Sequence, residues 1–180
     1  MTRLIFRRMV AALCLATGAA FIIALPAYGA TATANLGAGS SVAPNCTIAT
    51  AALAFGAYDP IVANAAVART GSGSITVACT AGSAPTITLG LGANALGAVR
   101  KMANGVERLS YELYQPPNTT PGTACGALTT IWGTAGANIF TPTAPASKAA
   151  RTYNVCGSIA AGQDIGVGSY ADTVLATVNF

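Results

Sequence analysis

The side chains that could carry chemistry are few. Of 180 residues, five are acidic (Asp59, Glu107, Glu112, Asp164 and Asp172) and none is histidine. Without histidine the commonest general base and the commonest neutral metal ligand are both missing. A Ser-His-Asp triad is impossible, and no Gly-x-Ser-x-Gly elbow occurs. A carboxylate pair of glycosidase type is the hydrolytic option that remains. Asp59 lies in a turn-like Tyr-Asp-Pro setting and Asp172 where a strand would start, so both read as side chains that bind nearby backbone. The other three acids also read as structural. Two loose dinucleotide fingerprints, Gly90 to Ala95 and Gly166 to Ala171, arise readily in a chain with 20 glycines, and neither sits in a βαβ unit. Six tyrosines and Trp132 could stack on a sugar, but they are spread over separate segments, which assigns them to core and edge packing.

The cysteines are more informative. Cys14 lies in an apolar leader, and four remain: Cys46, Cys79, Cys125 and Cys156. Their spacings of 33, 46 and 31 residues contain no Cys-x-x-Cys pair, so a metal site is not indicated. In an exported chain an even number reads as two disulfides with three possible pairings. Sequential pairing, Cys46 with Cys79 and Cys125 with Cys156, is the choice in which each bond staples neighbouring strands. Each closed loop would restrict the unfolded chain by about 3–4 kcal/mol.

Export itself is read from the N-terminus. Arg3, Arg7 and Arg8 precede a run of apolar or small residues at 9–25, followed by Pro26 and the small residues Ala27 and Gly29. That order is a secretory signal peptide over residues 1–29, cut before Ala30. The 17-residue run is at the bottom of the membrane-spanning range and lacks a basic stop-transfer cluster. The residues before Cys14 match a lipidation site poorly. Removing the leader cuts nine basic residues to six against five acidic, a net charge of +1. No basic stripe is left to hold a nucleic-acid backbone.

The elements that would position these groups alternate with period two. Ile75, Val77 and Cys79 share one face; Ile87, Leu89 and Leu91 another; then Leu109, Tyr111 and Leu113; and finally Val174, Ala176, Val178 and Phe180. Gly71-Ser72-Gly73, Pro116-Pro117-Asn118 and Pro121-Gly122 read as turns between them. Residues 94–104 could hold a short turn of helix. Thr-rich opposite faces and disulfide staples predict an all-β antiparallel sandwich. Two details fit a self-sufficient sandwich badly. The last alternation runs into Phe180 itself. Residues 30–45 also alternate, placing Ala32, Ala34, Leu36, Ala38 and Val42 on one side, as a strand seeking an apolar groove would. A flexible linker or an ordinary first strand would account for that pattern equally.

Cys46-Thr47-Ile48, followed by residues 53–60 (Leu-Ala-Phe-Gly-Ala-Tyr-Asp-Pro), resembles the opening signature of the spore coat protein U domain family, which includes the Csu-type subunits of archaic chaperone–usher pili. Residues 73–80, residues 109–114 with Trp132-Gly133 downstream, and residues 162–180 agree with it. The usual Tyr-Gly before the final hairpin is replaced by Tyr153-Asn154-Val155-Cys156-Gly157. The resemblance implies an immunoglobulin-like sandwich lacking its final strand and completed by donor-strand exchange. It divides the chain into a signal peptide (1–29), a donor segment (30–45) and an incomplete pilin-type domain (46–180).

It also implies partners: a periplasmic chaperone that fills the open groove, an outer-membrane usher, and identical or homologous pilin subunits. The donor inserts would be Ala32, Ala34, Leu36, Ala38 and Val42. The acceptor groove would be edged by Ile48, Val174, Ala176, Val178 and Phe180. No catalytic residue, cofactor, metal or nucleic acid is expected. The expected function is a shaft or adaptor subunit of a surface fibre supporting adhesion and biofilm formation, since a tip adhesin would need a second domain. A spore or cell-coat protein of the same fold and a secreted carbohydrate-binding sandwich are the alternatives.

Overall fold

The structure, a computed structural model, describes residues 29–180. The signal-peptide assignment, with Cys14, therefore falls almost wholly outside the described residues. The chain divides into two units, Met1–Ser40 and Ser41–Phe180. In the first, residues 29–40 carry no strand and are exposed throughout.

The second unit contains eight strands among the described residues: β1 Cys46–Ala54, β2 Arg69–Cys79, β3 Thr86–Leu89, β4 Lys101–Asn104, β5 Glu107–Ser110, β6 Glu112–Tyr114, β7 Arg151–Ile159 and β8 Ala176–Asn179. Every pairing is antiparallel. β1, β2, β7 and β6 form one sheet in that order, while β3 pairs with β8 and β4 with β5. The core lies between these layers. Ile75 and Val77 of β2, Tyr153, Val155 and Ile159 of β7, and Leu113 of β6 meet Ile87, Leu89, Leu109, Trp132 and Phe140. Trp132, Phe140 and Tyr153 stack in sequence with ring centroids 5.0 and 5.1 Å apart. The buried Trp132 indole donates to the Ile87 carbonyl at 2.9 Å, so its one polar atom is satisfied.

Both expected disulfides are present. Cys46 and Cys79 are register partners at the shared end of β1 and β2. Cys125 lies in the long connection after β6, so its bond to Cys156 ties a loop to β7 rather than two strands to each other.

Several expected elements differ. Gly71-Ser72-Gly73 is not a turn but the interior of β2, where Ala51 to Phe55 of the same chain approach too closely for side chains. The run Leu109, Tyr111 and Leu113 is buried as expected but is divided between β5, which pairs with β4, and β6, which pairs with β7. Leu91 lies beyond β3 and is exposed. Residues 101–104, within the stretch considered for a helical turn, form β4.

A buried cation holds the layers in place. Arg100 is only 1% exposed. Its guanidinium ion-pairs with Glu112 and donates to the carbonyls of Leu89, Gly90 and Trp132. These carbonyls lie where β3 ends and where the loop after β6 crosses it, so one side chain satisfies acceptors that no strand reaches. Arg100→Ala removes the ion-pair partner of Glu112 and leaves three carbonyls without their side-chain donor. The expected loss of stability is about 3–5 kcal/mol, read from urea midpoints, whereas the exposed Lys148→Ala control should stay within about 0.5 kcal/mol.

Candidate strand-acceptor groove

β1 and β8 each have a single partner. Among the described residues, β1 pairs with β2 only, and β8 with β3 only. The other edge of each strand carries unpaired backbone donors and acceptors. Between them a cavity of about 390 Å³ opens the core to solvent. Thr50 to Ala52 wall one side and residues 170–174 with Ala176 wall the other, while Leu53, Phe55, Ile75, Leu89, Leu113 and Val155 form its floor. A second cavity of about 740 Å³ shares Leu53, Phe55, Met102 and Tyr170 with the first, and continues the cleft toward Tyr58 and Gly166.

The carboxylate at the cleft is already engaged. Asp172 accepts the Tyr111 hydroxyl at 2.7 Å, and both the backbone N–H and the side-chain amide of Asn94 at 3.0 and 3.2 Å. A Cβ on Gly92, whose φ is +96°, would lie 1.9 Å from the Asp172 carboxylate. The Gly90 to Ala95 fingerprint is thus a turn folded against a carboxylate. Asp59 plays a similar part, accepting the backbone N–H groups of Ile61, Val62 and Ala63. The Val62 bond, followed by the other two, lowers its carboxyl pKa. Burial, reinforced by the bond to Asp172, raises the pKa of Tyr111.

Of the residues expected to edge the groove, Val174 and Ala176 line the first cavity. Ile48 points to the same face of β1 as its partner Val77 does on β2, and is 36% exposed. Val178 is half-buried on β8 opposite Ile87, while Phe180 stands beyond the strand and is 54% exposed. Among the expected donor residues, Ala32, Ala34, Leu36 and Ala38 belong to the first unit and are exposed, and Val42, in the second unit, is 81% exposed.

Period-two reasoning missed Leu53 and Phe55 as cleft residues. The cause is a bulge: Ala51 pairs with Ser74, but Ala54 pairs with Ser72, so one extra β1 residue is inserted. Before it, the even-numbered residues face inward with Ile75 and Val77. After it, Leu53 and Phe55 do, although strict alternation would turn them outward. The sequence does hold a trace of this in Gly71, Gly73 and Gly157, whose missing side chains make room for them.

A model of the spore coat protein U domain matches residues 31–177. The chain belongs to that family. Protein U of Myxococcus xanthus is 36% identical over 185 aligned residues, covering 91% of this chain and 94% of the relative. Among solved structures, the family fold recurs in the chaperone–tip adhesion subunit pre-assembly complex of the archaic chaperone–usher Csu pili of Acinetobacter baumannii. That match has a TM-score of 0.51 at 20% identity, and covers 78% of this chain but 40% of the solved one. The likeness is one of fold.

In this member of the family, the bond between Tyr111 and Asp172 predicts a pH dependence. Tyr111→Phe should cost about 1–3 kcal/mol at neutral pH. Because the folded state keeps the phenol protonated, its contribution is complete below the unfolded tyrosine value near pH 10 and is lost as pH rises through the higher folded value. Urea midpoints of the two proteins should therefore converge above about pH 10.

Proposed function

We propose that this chain is a structural subunit of a chaperone–usher type surface fibre, polymerised by strand exchange. The observation that carries the proposal is the pair of unpaired edges, β1 and β8, on either side of a cleft open to the core. A strand laid between them would satisfy both edges with backbone hydrogen bonds and send alternate side chains into the cleft. The donor is the segment that alternates without a strand partner, with Ala32, Ala34, Leu36, Ala38 and Val42 as inserts. Donor segment and acceptor cleft are different surfaces, so the contact is heterologous and builds a filament instead of closing.

On this reading the subunit is exported, its signal peptide removed, and its cleft covered by a strand from a periplasmic chaperone until an outer-membrane usher exchanges that strand for the next subunit's donor segment. Its role is that of a shaft or adaptor in adhesion and biofilm formation, with no catalytic step. The fold it shares with a chaperone–subunit complex supports the chaperone assignment. Its near full-length similarity to Protein U favours a second reading, a coat protein assembled from the same domain.

Deleting residues 30–42 should abolish SDS-resistant ladders while capture of the subunit by its co-expressed chaperone persists. Ladders that survive the deletion would reject the donor assignment. Fibres formed without any usher, on a spore or cell envelope, would favour the coat reading.

A further inference from the structure

We infer that Leu53 and Phe55 set the depth of the cleft, and so select a donor strand of small side chains, residues 30–42 of a second copy of this chain. The inference rests on the strand-exchange reading above and adds to it the determinant of fit. The bulge in β1 turns both side chains onto the inner face of the sheet, where they lie over three glycines. A Cβ on Gly157 would stand 2.7 Å from the Phe55 ring and 2.9 Å from Leu53. One on Gly71 would stand 2.9 Å from Phe55, and one on Gly73 2.9 Å from the Leu53 Cα. Gly71 and Gly157 are register partners on β2 and β7, so the bare patch is continuous across two strands.

Phe55 is held there edge-on to Tyr111, with ring centroids 6.0 Å apart. The chain thus occupies part of its own cleft with two large side chains, and both line what remains of it. An incoming strand passes over this floor at reduced depth.

Residues 30–42 suit that floor. Three of the five expected inserts are alanine, and the segment carries no charge. The Asp172 carboxylate at the cleft already accepts three hydrogen bonds, so it does not call for a cationic donor. Thirteen extended residues reach about 43 Å, against about 30 Å for a nine-residue strand such as β1, so the segment can run the length of the edge it would pair with. A donor rich in leucine or phenylalanine would overpack the floor made by Leu53 and Phe55.

The test is a size swap between donor and acceptor. Synthetic peptides of residues 30–43, unmodified or carrying Ala32→Leu, Ala34→Leu or Ala38→Leu, are offered during refolding to the full chain. SDS-resistant peptide–subunit complex is measured for wild-type, Leu53→Ala and Leu53→Val acceptors, the milder variant guarding against a folding defect. The unmodified peptide should be captured by the wild-type chain. At least one leucine peptide should be captured about tenfold less, the scale of an overpacking penalty, and should regain most of that loss on Leu53→Ala or Leu53→Val. Equal capture of all three leucine peptides by the wild-type chain, or no recovery on either variant, would overturn the depth assignment and leave strand exchange standing. Failure of the unmodified peptide to bind at all would overturn both.

Discussion

A backbone amide or carbonyl removed from water must find a partner, and the edges of β1 and β8 that face the cleft have none within the second unit. The rest of the architecture is arranged around that deficit. Exposed edges beside apolar side chains are a hazard that natural sheets blunt with charges, prolines or short strands. Here the nine-residue β1 carries no charge and no proline. Its inner face shows Ile48 and Thr50 uncovered instead of packed. An edge left unguarded in this way is intelligible as a template for another strand, which is the basis of the assembly proposed above.

Such a template is useful only if it keeps its shape while empty. The two disulfides and Arg100 fix the frame around the cleft by different means. Cys46–Cys79 fastens β1 to β2, and Cys125–Cys156 pins the long connection to β7. Arg100 gathers carbonyls from the end of β3 and from Trp132 onto one buried charge. A buried ion pair adds little net stability over an apolar replacement, but it tolerates few alternative arrangements of its partners. Together these bonds make up for a core that one layer leaves open.

The sequence disclosed much of the fold and less of the cleft, for identifiable reasons. The inward faces of β2 and β3 were legible because Ile75, Val77 and Cys79, and Ile87 with Leu89, alternate without interruption. The number of cysteines implied two disulfides, whereas the sequential pairing was one choice of three. β7 escaped notice although Tyr153, Val155 and Ile159 alternate, because Gly157 breaks the pattern where Phe55 needs room. Gly71 and Gly73 looked like turn residues for the same reason, since local propensity cannot register a side chain arriving from another strand. The bulge inverted the parity of Leu53 and Phe55, which no period-two reading anticipates. Arg100 was passed over because a cation is assigned to the surface unless its partners are known in advance.

The Cys46–Cys79 bond has a mechanical corollary. The chain from residue 45 enters β1 at Cys46, and the covalent link stands at that first residue. Tension carried along residues 30–45 therefore passes at once into the backbone of β2, bypassing the hydrogen bonds that would otherwise be peeled one at a time. Load would be shared along two strands in shear, and rupture would require a sulfur–sulfur bond to part before β1 could be stripped from its N-terminal end.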